Sequence, residues 1–150
     1  MVLDFSQHLK EKILERTFVF IKPDAVKNNF VGQILSVFEL NGIRLVNITM
    51  AFPEIKTIER HYGEHKGREY YDRLIDFSML GPIVLMILEA ENAVERVRNL
   101  VGATDPSKAN KGSIRNLYGE GVPNNGVHAS DSKENAEREI KIWNRFFNFK

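Results

Sequence analysis

The densest chemical signal in the chain is PNNGVHASDS, residues 123–132, where His128 sits between an Asn-Gly pair and a Ser/Asp cluster. An imidazole in such a place can be a buried structural ring, a metal ligand or a nucleophile. Ser130 and Asp131 stand where a helix opens. A helix N-terminus favours negative charge, so a phosphate near His128 would be stabilised there. Glu139 lies beside the apolar stripe of that helix, whereas Glu137 and Lys141 point further outward. An inward carboxylate can orient the ring through one nitrogen and leave the other free to attack. Its plainer role is a salt bridge at the edge of the core. Spacing alone leaves all three roles of His128 open.

Cationic side chains form the second signal. Lys22 closes an apolar run just before Pro23, and Arg98, Thr104 and Arg115 are spread through the segment before His128. Two guanidiniums and a hydroxyl can together hold a polyphosphate, because arginine offers paired donors that match phosphate oxygens, and Lys22 stands at a strand end where ligands often bind. Each also has a plain reading: Arg98 paired with Glu95 or Asp105, Arg115 solvated, Lys22 a surface lysine. His61 and His65, four apart, could share a helix face and a metal, but Gly63 weakens that helix and no third ligand is near. The plain reading is two exposed or rim histidines. No G-x-x-x-x-G-K-[ST] loop occurs, and Gly119-Glu120-Gly121 lacks the third glycine of a dinucleotide fingerprint.

Bulk properties narrow the classes. With 150 residues, 43% hydrophobic and 27% charged, the chain fits one soluble domain spanning 1–150. Lys+Arg 21 against Asp+Glu 20 gives a formal charge of +1, so no global field draws it to nucleic acid or to anionic membranes. The absence of cysteine excludes disulfides, thiol nucleophiles and thiolate metal sites. The first residues, MVLDFSQHLKEKILE, mix charges with apolar positions and do not read as a secretory signal. Phe5, Leu9 and Ile13 instead suggest a short amphipathic helix in an N-terminal extension over 1–14. Asn47-Ile48-Thr49 matches a glycosylation pattern by chance on this reading, and the expected setting is the cytoplasm.

The elements that must position these residues can be read from periodicity. Thr17–Ile21 predicts a buried strand stopped by a proline turn. Val31, Ile34, Leu35 and Phe38 predict a helix closed by Asn41-Gly42, and Ile43–Phe52 a second strand. Short helices follow over about 57–62 and 69–77. Ile83–Leu88 is a continuous apolar run, the pattern of a strand buried on both faces. Ala93 to Val101 predicts a helix closed by Gly102, and residues 103–126 a long polar loop with one helical turn at most. A short strand at Val127–Ala129 precedes a last helix, capped by Asp131 or Ser132, with Ala136, Ile140, Trp143 and Phe147 as its stripe. The order reduces to an α+β, ferredoxin-like βαββαβ sandwich: a four-stranded antiparallel sheet with helices packed on one face.

Taken together, ERTFVFIKPDAV, HYGEHKGREYY, MLGPIVLMILE, VRNLVGATDP, GSIR and NNGVHASDS resemble the nucleoside diphosphate kinase family from about Glu15 to Trp143. The resemblance implies ping-pong phosphoryl transfer, with His128 taking the γ-phosphate of a nucleoside triphosphate and passing it to a nucleoside diphosphate. It implies that Glu139, helped by Ser130, holds the His128 ring. Lys22, Tyr62, Arg98, Thr104 and Arg115 would surround the phosphates, Asn125 with Lys22 would meet the ribose, and Tyr70 and Val122 would sandwich the base. It further implies Mg²⁺ carried mainly on the nucleotide phosphates, and a homo-oligomer, tetramer or hexamer. Tyr70 stands where phenylalanine is usual, Ala129 where glycine is frequent, and Asn116-Leu117-Tyr118-Gly119 departs from the common Gly-Asp-aromatic run. The tail after Trp143 lacks the tyrosine-glutamate ending of many hexameric members.

Overall fold

The computed structural model describes residues 13–147. The N-terminal helix expected around Phe5 and Leu9 lies outside them, and Ile13 and Leu14 carry no regular structure. Four strands, β1 (Glu15–Ile21), β2 (Arg44–Ala51), β3 (Ile83–Ala90) and β4 (Val127–Ala129), form one sheet in the order β2-β3-β1-β4. All three pairings are antiparallel, with a register irregularity between Leu45 and Asn47. The expected α+β plan and strand count hold.

Among the described residues seven α-helices connect and cover the sheet: α1 (Pro23–Lys27), α2 (Val31–Leu40), α3 (Ile55–His61), α4 (Tyr71–Ser78), α5 (Ala93–Val101), α6 (Ile114–Tyr118) and α7 (Lys133–Trp143). The segment after Lys22 is therefore a helical turn rather than a bare proline turn. Pro23 occupies its first turn, where a missing N–H costs nothing, and Asp24 complements the local dipole. The long segment before His128 carries more structure than the single helical turn expected. A 3₁₀ turn at Pro106–Lys108 is capped by Asp105, and α6 is capped by Ser113. Ser132, not Asp131, caps α7 by accepting the Asn135 N–H at 3.1 Å.

Helices lie on both faces of the sheet, a correction to the one-sided expectation. Strand alternation explains it, since both faces of β1 and β3 are apolar and each needs cover. Val19, Ile21, Val84, Met86 and Leu88 pack with Ile34 and Phe38 of α2 and Val97 of α5. Phe18, Phe20, Leu85 and Ile87 face the other way, onto Ile58 of α3, Leu74 of α4 and Trp143 of α7. Every residue of β3 is buried. No helix among the described residues is long and apolar enough to cross a membrane.

Candidate active site

β4 is only three residues long, and its alternation decides where His128 points. Val127 and Ala129 enter the first core, so His128 faces the second, opposite Phe20 in the β1–β4 register. The His128 and Phe20 rings stack with centroids 5.0 Å apart. Its side chain is 19% exposed, which leaves one edge open to a cavity of about 530 Å³. α7 brings Glu139 beneath the ring, and His128 Nε2 is hydrogen-bonded to Glu139 Oε1. The same carboxylate oxygen lies 3.2 Å from Ser130 Oγ, which is also 3.2 Å from the Phe18 carbonyl. The Ser130 N–H donates to that carbonyl at 3.0 Å, so β1 fixes the residue that steadies Glu139.

Nε2 is thus committed to Glu139, and Nδ1 is the nitrogen available to the cavity. Burial, followed by the charges of Lys22, Arg115 and Arg98, holds the His128 pKa well below the ordinary value. The ring is therefore neutral near pH 7, with the hydrogen on Nε2 and a lone pair on Nδ1. Burial pushes the Glu139 carboxyl upward, opposed by His61 and the Ser130 hydroxyl.

His61 was expected to be exposed or at a rim. It is instead buried in the wall of the site, its ring 4.3 Å from His128 and nearly perpendicular to it. The sequence did carry a signal: Thr57, Ile58, His61 and Tyr62 are all buried and recur at i, i+1, i+4, i+5, one face of a helix. The Trp143 indole donates to His61 Nδ1 at 3.1 Å. A neutral His61 then carries its hydrogen on Nε2, which lies 3.8 Å from Glu139 Oε1. The ligand atoms of His61, His128 and Glu139 lie within 4.8 Å of one another, but His61 Nε2 has no lone pair to give. His65 lines the same cavity and is hydrogen-bonded through Nδ1 to the Tyr70 hydroxyl.

The cations come from separate elements. Lys22 follows β1 directly and is 4% exposed; its Nζ donates to the Pro123 carbonyl at 3.1 Å. Burial, then the nearby Arg115 charge, lowers its pKa to about 7. Arg115 is buried rather than solvated, donating to the Gly102 and Val127 carbonyls at 3.0 Å each, and burial lowers its pKa to about 10. Arg98 neither pairs with Glu95 nor with Asp105, but reaches the Ala129 carbonyl at 3.3 Å. Arg138, unnoticed in the sequence, donates to the Arg60 and His61 carbonyls at 3.2 Å and closes the C-terminus of α3.

Two further residues hold the loop before β4. Asp24 Oδ2 accepts the Gly126 N–H at 3.0 Å, and the Lys22 N–H donates to the Gly126 carbonyl at 2.8 Å. Gly126 adopts φ +87°, a conformation that favours glycine. Asn125 is thereby buried, its Nδ2 donating to the Thr104 carbonyl at 2.9 Å and its Oδ1 lacking a partner among the described residues. Tyr70 and Val122 stand half-exposed at the mouth. Of the eleven residues to which the family resemblance gives a role, ten line this one cavity, and Ser130 sits just behind it.

What the arrangement can do is specific: a neutral, oriented imidazole faces a cavity rich in fixed positive charge. A family model described as "Nucleoside diphosphate kinase" matches residues 15–148. The nucleoside diphosphate kinase of Methanocaldococcus jannaschii is 46% identical over 129 residues, 86% of this chain and 92% of that one. That of Thermosipho africanus is 47% identical over 130 residues, 87% and 88% of the two chains. Among solved structures, the Aquifex aeolicus nucleoside diphosphate kinase superposes with a TM-score of 0.84 at 34% identity, covering 87% of this chain and 94% of that chain. A family protein from Babesia bovis gives 0.84 at 37% identity, over 91% and 93%. Sequence and backbone likeness both run almost the full length of the described fold, and the chain belongs to the nucleoside diphosphate kinase family.

Proposed function

We propose that this chain is a working nucleoside diphosphate kinase in which His128 carries the phosphoryl group from a triphosphate donor to a diphosphate acceptor. The observation that carries this reading is the pairing of His128 Nε2 with Glu139 beside Lys22, Arg98 and Arg115. In the first half-reaction the Nδ1 lone pair forms a bond to the γ-phosphorus. The bond from phosphorus to the bridging oxygen breaks, and its electron pair leaves on the diphosphate. The second half-reaction runs the same exchange backwards with another diphosphate, so no water and no net proton is consumed. As Nδ1 gains phosphorus the ring becomes more positive, and the Glu139 carboxylate at Nε2 offsets that charge.

Positioning and charge supply the rest, since phosphoryl transfer asks the protein mainly for those. On this reading Lys22, Tyr62, Arg98, Thr104 and Arg115 hold the phosphates. The buried, unpartnered Asn125 Oδ1 suits a ribose hydroxyl as donor. Tyr70 and Val122 flank the base by flat contact, which is tolerant of base identity. Of the three cavity carboxylates, Glu139 is committed to His128 and Ser130, Asp131 accepts from Asn135 at 2.6 Å, and Glu64 stands exposed and apart from both. Such a donor set fits Mg²⁺ that arrives on nucleotide phosphates and water rather than a protein-held ion. Bound there, Mg²⁺ would neutralise charge on the phosphate oxygens.

We also read residues 1–150 as one domain that self-associates in the cytoplasm. β2 is a sheet edge, and Ile48, Met50 and the following Phe52 are exposed at alternate positions along it. An apolar, unpaired edge of this kind is ordinarily covered. A solution mass distinguishes tetramer from hexamer; a monomer at working concentration contradicts self-association. The enzymatic reading is tested with γ-labelled ATP, which should leave acid-labile, alkali-stable label on the chain that added diphosphate removes. Turnover by His128→Ala at the normal rate would overturn it.

A further inference from the structure

The arm between α3 and α4 forms one wall of the cavity, yet little holds its tip. Residues 66–70 are all exposed, and Gly67 takes φ +90°. Its backbone bonds are local turns, Lys66 N–H to the Gly63 carbonyl at 3.2 Å, Arg68 N–H to His65 at 3.0 Å and Tyr71 N–H to Arg68 at 3.0 Å. Side chains add a second, equally local set of ties. The Tyr70 hydroxyl is hydrogen-bonded to His65 Nδ1 at 2.5 Å, with ring centroids 5.5 Å apart. The His65 ring in turn lies 6.0 Å from that of Tyr62, which is buried in the core behind the site. A relay of three rings therefore connects a half-exposed aromatic at the mouth to the buried core.

We propose that the Tyr70 hydroxyl and His65 form a latch that fixes the Tyr70 ring in its base-facing pose before nucleotide arrives, making Tyr70 and His65 positioning residues for nucleotide capture. This rests on the reading of Tyr70 as a base contact. A phenylalanine keeps the ring and loses the latch, so the free protein must order both the ring and the loop tip when it binds. The latch acts on capture of nucleotides that carry a base, and base-free donors gain nothing from it.

The experiment follows single-turnover phosphorylation of the full chain at varied ATP, and at varied ribose 5-triphosphate as a base-free donor. Tyr70→Phe should raise the half-saturating ATP concentration about fivefold, which corresponds to ~1 kcal/mol. The half-saturating ribose 5-triphosphate concentration should not move. In a His65→Ala background the same substitution should add less than about twofold, because the partner is already gone. Unchanged ATP saturation in Tyr70→Phe, an equal shift with both donors, or full additivity with His65→Ala overturns the latch. Tyr70→Ala separates the two claims. If it leaves ATP saturation unchanged, the base-contact reading fails; if it shifts ATP saturation while Tyr70→Phe does not, only the latch fails.

Discussion

Glu139→Gln separates the chemistry of the site from its stability, because the two should move in opposite directions. The substitution keeps the shape and an acceptor oxygen for His128 Nε2 and Ser130 Oγ, but removes the charge. A hydrogen bond to an ionised group contributes about 1.5–3 kcal/mol against ~1 kcal/mol for a neutral one. The difference matters as Nδ1 bonds to phosphorus and the ring becomes positive. A loss of about 1–2 kcal/mol in that state is a roughly 5- to 30-fold slower phosphorylation of the protein. Stability should respond the other way. Burial raises the Glu139 pKa above its ordinary value of 4.5, so folding free energy is lost as the pH rises from the unfolded pKa through the folded one. That cost is absent below the unfolded pKa and present at neutral pH. Glutamine does not carry it, so the variant should melt higher than the parent at neutral pH and lose that advantage near pH 4. Quenched-flow phosphorylation and thermal unfolding at the two pH values make the comparison. Parent-like phosphorylation would refute the role of Glu139, and lower stability at neutral pH would show that the carboxylate is a structural ion pair instead.

Two other outcomes follow from the buried cations. In Arg115→Lys a single ammonium replaces two donors aimed at the Gly102 and Val127 carbonyls, leaving at least one buried acceptor unpaired. Urea unfolding should show a loss of about 1–3 kcal/mol, together with slower transfer; an unchanged midpoint contradicts the bridging role. Lys22, with its pKa lowered by burial to about 7, is mostly neutral in the free protein at pH 8. A polyphosphate beside it restores the charge, so binding at that pH should take up about one proton, absent in Lys22→Gln. Calorimetry in two buffers of different ionisation enthalpy reads the uptake directly. The same shift makes the free chain more stable as pH rises from about 7 toward 10.5, because the unfolded lysine holds its proton longer.

Much of this was legible in the sequence, for identifiable reasons. The run Ile83–Leu88 announced a strand covered on both faces, and Val127–Ala129 a short strand around His128. The stripe of α7 put Glu139 near the core, where it proved fully inside, although Ile142 rather than Ile140 completes the buried face. Other features were hidden for physical reasons. Arg115 owes its burial to carbonyls of Gly102 and Val127, 13 and 12 residues away, which no local periodicity encodes. The clasp of Asp24 on Gly126 joins positions 102 apart. His61 was readable but discounted, because Gly63 ends its helix just after the ring has already been positioned. The helix at Pro23 was missed because proline signals a break unless it stands in the first turn.

The central claim is that Nδ1 of His128 holds the phosphoryl group while Nε2 stays with Glu139. Phosphorus–nitrogen NMR of the chain labelled in its histidines, after brief exposure to ATP, tests it most directly. The account expects one phosphorylated histidine, at position 128 and bonded through Nδ1, whose signal vanishes on addition of a nucleoside diphosphate. Phosphorus on Nε2, on another residue, or on none while transfer proceeds would contradict it.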